Sequence, residues 1–252
     1  MLKTAIVIPD RHIPLHDESA CNIVKQAIEV VKPDIFIDLG DVGEWESVSH
    51  WRYKRRKRPP LEYQLPLIDE EIAQVNDELD KWDKILAKVG CEDKRICTGN
   101  HDIWLDDFVE EHPYLNNYTF KNACKWKERG FKVYEHNYPM KIGKLAFIHG
   151  VYTTIYHARQ HLLAYGCNIM YGHVHDKQHH TMSRLNDGII GAWSMACLKD
   201  MSREKNKWLK GRLHNWSHAF GIVQWYPNNN FKAEVVDIVN GKTVLWGNEL
   251  EG

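Results

Sequence analysis

Five short blocks of this sequence carry residue types that bind metal ions or move protons. They are Asp10-Arg11-His12, Gly40-Asp41, Gly99-Asn100-His101-Asp102, His149-Gly150 and Gly172-His173-Val174-His175. Leaving His101 and Asp102 aside, the candidate ligands are Asp10, His12, Asp41, Asn100, His149, His173 and His175. Oxygens and imidazole nitrogens together suit borderline first-row ions (manganese, iron, nickel or zinc) better than calcium. A structural zinc site would want cysteines, and none lies in these blocks. Any single block reads as an ordinary turn, and a lone histidine is more often structural than functional. The weight comes from where the blocks sit.

Each block follows an apolar run of strand character: Thr4–Ile8, Asp34–Leu39, Arg95–Cys97, Leu145–Ile148 and Asn168–Tyr171. Helical periodicity lies between them. Ala20, Ile23, Val24, Ala27, Ile28 and Val31 step by three and four before Pro33. Leu65, Ile68, Ile72, Val75, Leu79, Trp82, Ile85 and Val89 do the same before Gly90. Strand–helix–strand order predicts parallel strands with right-handed crossovers. In open α/β sheets, ligands bind beyond the carboxyl ends of strands, so the five blocks are expected to converge. Further helices are expected over Ile103–Val109, around Phe120–Glu128 and over roughly Ile155–Tyr165, with a strand at Phe131–Tyr134. After His175 the pattern shortens to period two. Strands are expected at Gln178–Met182, Gly188–Trp193, Ala219–Trp225, Lys232–Val239 and Thr243–Trp246, with Asn240-Gly241 as a hairpin turn. The chain reads as one α/β domain over 1–252, parallel units first and mainly antiparallel strands last, with a helical and basic insertion at about 43–90.

The bulk numbers are those of a globular protein. Of 252 residues, 43% are hydrophobic and 27% charged, and the formal net charge is -1. No global basic signature marks a nucleic-acid binder, so any such contact must be local. Six cysteines without a CxxC pair, and an amino terminus that runs straight into a strand, predict reduced thiols in the cytoplasm. No apolar run nears the roughly 20 residues of a membrane helix, so no membrane partner is expected.

The ordered blocks resemble the calcineurin-like metallophosphoesterase superfamily, whose motifs run D-x-H, GD, GNH(D/E), H-G and G-H-x-H. All five are present in order from Asp10 to His175. The resemblance implies a four-layer α-β-β-α sandwich, two mixed sheets flanked by helices, and two divalent ions, manganese first, with iron, nickel or zinc as alternatives. It implies one ion on Asp10, His12, Asp41 and His175, and the other on Asp41, Asn100, His149 and His173, with Asp41 bridging. It further implies hydroxide between the ions as the attacking group on phosphorus. His101 would serve the leaving oxygen without being a ligand. Asp102 would orient His101 or, equally, cap the helix that follows.

Protein phosphatases of that superfamily read GDxVDRG at the second block. Here the chain reads Gly40-Asp41-Val42-Gly43-Glu44-Trp45, without the Asp-Arg pair. This leans toward phosphodiesters. Ten residues on lies a basic, aromatic run: Trp51, Arg52, Tyr53, Lys54, Arg55, Arg56, Lys57 and Arg58. Cations neutralise phosphates and aromatics stack on bases, so Arg52, Lys54, Arg55 and Arg56 are candidate contacts to a nucleic-acid or nucleotide substrate. A looser run, Arg203, Lys205, Lys207, Lys210 and Arg212, reads as a solvated face. His16, His50, His179 and His180 read as surface or structural. The D-x-H-I-P opening, the basic insertion and the stretch Asn215–Gly221 also resemble a group of phage-encoded metallophosphoesterases, which would place the protein in a host cytoplasm. The leading expectation is a two-metal nuclease or phosphodiesterase. Its alternatives are a hydrolase of cyclic nucleotides or nucleotide derivatives, and a scaffold that kept the fold without catalysis.

Overall fold

The computed structural model describes residues 2–185 and 187–252. Its first sheet is built from β1 (Lys3–Ile8), β2 (Ile35–Asp38), β3 (Asp93–Cys97) and β4 (Phe131–Tyr134), joined by β10 (His218–Trp225) and β11 (Phe231–Ile238). The order is β11-β10-β1-β2-β3-β4, parallel from β1 to β4, with β10 antiparallel to β1. The second sheet comprises β5 (Met140–Ile142), β6 (Leu145–Ile148), β7 (Asn168–Tyr171), β8 (His179–Arg184) and β9 (Gly188–Ser194), in the order β5-β6-β7-β9-β8. Both sheets are mixed.

The strand sequences explain the layering. In β1 all of Ala5, Ile6, Val7 and Ile8 are fully buried. Side chains alternate across a strand, so such a run must be covered on both faces. Ile6 and Ile8 pack under α1 (Glu18–Val31), whereas Ala5 and Val7 face the second sheet. In β6, Leu145 and Phe147 join that central layer, while Ala146 and Ile148 pack against Ala158 and Leu162 of α6 (His157–Tyr165). Helices, sheet, sheet and helix therefore form four layers, as expected from the sequence.

The insertion contains a short helix, α2 (His50–Tyr53), and a long one, α3 (Leu61–Val89), ended by left-handed Gly90 at φ 75°. Trp82 and Leu86 of α3 pack with α1, and its Ile68, Val75 and Leu79 pack with α4 (Ile103–Glu111). The expected helix over Phe120–Glu128 is shorter: only α5 (Phe120–Ala123) is helical. Beyond it Lys125 takes φ 54° and the buried Trp126 packs on Phe120. Two further differences concern the late strands. β9 lies parallel to β7, an exception among late strands that are otherwise antiparallel as expected, in the pairs β8–β9, β1–β10 and β10–β11. Asn240-Gly241 does make the turn, but only Val239 and Lys242 pair across it. β12 (Lys242–Leu245) pairs instead with β13 (Asn248–Glu251) through Trp246-Gly247, both at positive φ. The edge strand β5 carried too few residues to be read. All six cysteines are free, and no described helix is long and apolar enough to cross a membrane.

One buried histidine outside the site makes the fold acid-sensitive. His161 in α6 stacks on Tyr171 at 3.8 Å, donates from Nδ1 to the His157 carbonyl and accepts the Val151 N–H at Nε2. Both nitrogens are used by the neutral ring, and burial lowers its pKa to about 4. The unfolded chain, titrating near 6.5, binds the proton first, so stability is lost as pH falls from about 6.5 toward 4, at up to ~1.4 kcal/mol per unit. Urea unfolding across that window should show stability falling with pH, and His161→Gln should make the fall shallower by up to ~1.4 kcal/mol per unit. An unchanged slope in the variant would remove His161 as the cause.

Candidate metal centre

The five blocks meet at the carboxyl ends of β1, β2, β3, β6 and β7. Asp10, His12, Asp41, Asn100, His149, His173 and His175 all arrive at one place. Two donor groups of the expected ligands result, beside a third made of His12, Glu44 and His101. In the first, His12 Nε2 lies 3.1 Å from His175 Nε2, and His175 Nε2 lies 3.7 Å from Asp10 Oδ1. In the second, His149 Nε2 lies 3.4 Å from Asp41 Oδ2 and 2.9 Å from Asn100 Oδ1, with His173 close by. Asp41 Oδ2 is also 3.6 Å from His12 Nε2, so one carboxylate stands between the groups. Donor atoms bound at about 2.0–2.2 Å to a shared cation are held about 3–3.5 Å apart, so each group could hold one ion.

The backbone is bent to achieve this. His12, Asp41, His173 and His175 have φ of 53°, 50°, 72° and 65°. Left-handed geometry at a non-glycine residue costs about 1–2 kcal/mol and persists only where neighbours enforce it. Here hydrogen bonds enforce it. His12 N donates to Asp41 O at 2.9 Å, and His173 N donates to both Asp10 oxygens at 2.9 and 3.0 Å. Glycines allow the close approach. A Cβ on Gly99 would lie 2.2 Å from Asp41 Oδ1, and one on Gly172 would lie 2.2 Å from Asp10 Oδ2.

Hydrogen-bond partners fix two tautomers. The Nδ1 of His149 faces the Leu39 carbonyl at 2.9 Å, and that of His101 faces the Glu44 carbonyl at 2.9 Å. A carbonyl only accepts, so Nδ1 carries a proton in both rings, whether or not Nε2 carries one as well. Nε2 of His149 then points at Asp41. Burial opposes charge on His149, but the Asp41 carboxylate overcomes it and raises the pKa to about 10. Burial likewise opposes charge on Asp41, and His149 and His101 outweigh it, holding that carboxyl well below its ordinary value. His173 goes the other way, to about 3, through burial and the neighbouring His149.

Asp102 sits differently from either expectation. Oδ2 accepts from Asp41 N at 2.8 Å and Gly99 N at 2.9 Å, while Oδ1 accepts from Val42 N and Trp45 Nε1, both at 3.1 Å. These bonds neither orient the His101 ring nor cap α4, whose first turn receives no side-chain bond from Asp102. It is the brace of the Asp41 loop. Glu44, passed over in the sequence, supports His101 through its carbonyl. Its carboxylate lies 2.9 Å from His12 Nδ1 and 2.6 Å from the buried Lys199 Nζ. Its one sequence cue was its position three residues after Asp41.

A cleft of about 1130 Å³ opens over these groups. Arg52, Lys54, Arg55 and Arg56 line it, together with His12, Asp41, Asn100, His101, His173 and His175. Lys205 and Lys210 of the supposedly solvated run line it too, with Trp208 and Trp216. Periodicity could not reveal this, because the run lies in an irregular loop.

No protein-family model matches the chain. It is 24% identical over 265 residues to the Gene 54 protein of Mycobacterium phage L5, spanning 96% of each chain. To the Gene 54 protein of Mycobacterium phage D29 it is 25% identical over 274 residues, spanning 100% of each. Among solved structures, Vacuolar Protein Sorting 29 from Cryptosporidium parvum superposes with a TM-score of 0.52 at 12% identity, covering 100% of this chain and 99% of that one. The fold is metallophosphoesterase-like. The likeness covers architecture alone, and the donor groups described above are this chain's own.

The brace is testable. Asp102→Ala leaves four buried N–H groups without an acceptor, and should cost about 3–5 kcal/mol, the scale of breaking a buried charged network. Calorimetry should show a lowered thermal midpoint. An unchanged midpoint would mean that the Asp41 loop holds its shape without Asp102.

Proposed function

We propose that the protein is a divalent-metal-dependent phosphodiester hydrolase that acts on nucleic acid. One observation carries the reading: the Asp41 carboxylate stands between two donor groups at the floor of a cleft lined by cations. The donors fit two ions of the manganese, iron, nickel or zinc class in type, spacing and tautomer. When bound, such ions supply positive charge to the phosphoryl oxygens and acidify a water for in-line attack.

The chain's own groups do the rest. Asp10, His12, Asp41, Asn100, His149, His173 and His175 hold the cations, with the His149 tautomer set by Leu39. In its doubly protonated form His101 keeps its Nδ1 proton on the Glu44 carbonyl and hands the Nε2 proton to the leaving oxygen, ending as the neutral Nδ1–H ring. Proton donation of this kind is worth about 10²–10⁴-fold. The ring is packed against Trp104 at 4.0 Å, which restricts its rotation. Glu44 positions His12 and His101 together. Arg52, Lys54, Arg55 and Arg56 receive phosphates on either side of the scissile one. Arg52 already pairs with Glu46 at 3.1 Å. Among the described residues Lys54, Arg55 and Arg56, like Lys205 and Lys210, have no carboxylate within salt-bridge reach. A single small phosphodiester would leave most of these cations unused, which favours a polymer.

Single-stranded DNA, duplex DNA, RNA and bis-p-nitrophenyl phosphate, each with manganese and with a chelator, form the test. Polymer cleavage that the chelator abolishes is expected. Turnover of the small ester alone would overturn the nucleic-acid reading, and a metal-loaded protein inert on every diester would overturn hydrolysis itself. His101→Ala should keep bound metal by elemental analysis and lose about 10²–10⁴-fold in kcat. Asp41→Asn should lose metal as well. Replacing Lys54, Arg55 and Arg56 by Gln should raise KM and flatten the salt dependence for polymers only.

A further inference from the structure

The lining segment from Lys205 to Trp216 has no part in holding metal, and its composition asks for another ligand. It alternates cations with indoles. Trp216 packs edge-on against His175 at 4.7 Å, and Trp208 lies 5.8 Å from Trp216. Exposure rises along this series. His175 is 7% exposed, Trp216 is half-buried and Trp208 is 56% exposed. The aromatic series therefore leads from the donor groups toward solvent. Large exposed indoles are unfavourable in water, and a site that keeps them beside unpaired cations is suited to a flat, anionic partner.

The segment is irregular yet pinned at both ends. The buried Asn206 donates to the carbonyls of Asp200 at 2.8 Å and Ser202 at 2.9 Å. Trp216 forms an antiparallel bridge with Asp176, and Ser217 N donates to His175 O at 3.0 Å. Trp216 is thus held in register with a candidate metal ligand.

We propose that this segment is a second substrate surface, one that takes the unpaired bases of single-stranded nucleic acid, with Trp208 and Trp216 as stacking platforms and Lys205 and Lys210 on the phosphates. The proposal rests on the phosphodiesterase reading of the cleft and narrows its substrate. Stacking requires a free base face. In a duplex, both faces of each base are covered by neighbours, so the indoles would find nothing to stack on. Trp51, 70% exposed and lying under Lys54 Nζ at 5.0 Å, adds a similar pair from the basic insertion.

Fluorescence anisotropy on the full chain, in chelator so that nothing is cleaved, separates the possibilities. A labelled single strand should bind more tightly than a duplex of equal length. Trp208 is exposed, so its replacement should not disturb folding. Trp208→Ala should weaken single-strand binding by about five- to a hundred-fold, the range for one lost stacked base, and Trp208→Phe should restore most of it. Lys205→Gln with Lys210→Gln should lower the salt slope by up to about 1.4, at about 0.7 for each phosphate contact on a single strand. Equal affinity for the duplex, or an unaffected Trp208→Ala, would overturn the proposal. Manganese-dependent turnover of bis-p-nitrophenyl phosphate, measured alongside, tests the parent reading by itself. Turnover without single-strand preference sinks only this inference, and single-strand preference without turnover sinks the hydrolase and leaves the segment a binding surface rather than a substrate surface.

Discussion

Asp41 is a buried carboxylate that faces imidazoles on two sides, with His12 Nε2 at 3.6 Å and His149 Nε2 at 3.4 Å from the same oxygen. Its other oxygen accepts the His101 N–H at 2.8 Å. A charge 2% exposed is costly unless its surroundings compensate fully. The surroundings here are assembled from distant parts of the chain. The Asp41 amide is held by Asp102, its carbonyl by the His12 amide, and its left-handed turn by the absence of a side chain at Gly99. Movement of any of these redirects the oxygen that both donor groups share.

The distance between the groups is set by packing far from them. Asp10, Asp41 and Asn100 hang from the first sheet, whereas His149, His173 and His175 hang from the second. What fixes the sheets relative to one another is the apolar layer between them, where Ala5, Val7 and Ile37 meet Leu145, Phe147 and Met170. Interiors are close-packed, so a change of side-chain volume there leaves a cavity or strain that the sheets relieve only in part by shifting. The geometry of the donor groups therefore depends on core volume as well as on the donors themselves. This gives a physical reason why β1, β2, β6 and β7 read as near-continuous apolar runs.

That dependence also explains what could be read in advance. Continuous apolar runs followed by polar blocks announced the five strands that carry the blocks, and the structure brings the seven candidate donors close together. Asp102 was misread because local sequence suggests a helix cap, while its real partners, Asp41 and Val42, lie some 60 residues away. Glu44 was missed because its importance comes from contacts with His12 and Lys199, the latter 155 residues distant. The 205–216 loop has no periodicity at all. Only the pinning by Asn206 and the bridge at Trp216 bring its cations to the cleft. The short strands β5 and β13 exist through pairing with neighbours rather than through their own composition.

A nearly neutral chain can still carry a locally cationic surface. The net charge of -1 averages over a surface whose signs are sorted. Asp10, Asp41 and Glu44 gather at or beside the cleft floor, where alone they would repel phosphate. Divalent ions on the two donor groups would reverse that sign and leave the lining lysines and arginines unopposed. Attraction for a phosphate chain would then depend on metal loading as much as chemistry does. A protein without its ions would hold single strands only through the loop cations and indoles, away from the carboxylates. Under the proposed function, the cleft would offer its floor to one phosphodiester and its walls to the neighbouring phosphates and bases. A small ester would meet only the first of these.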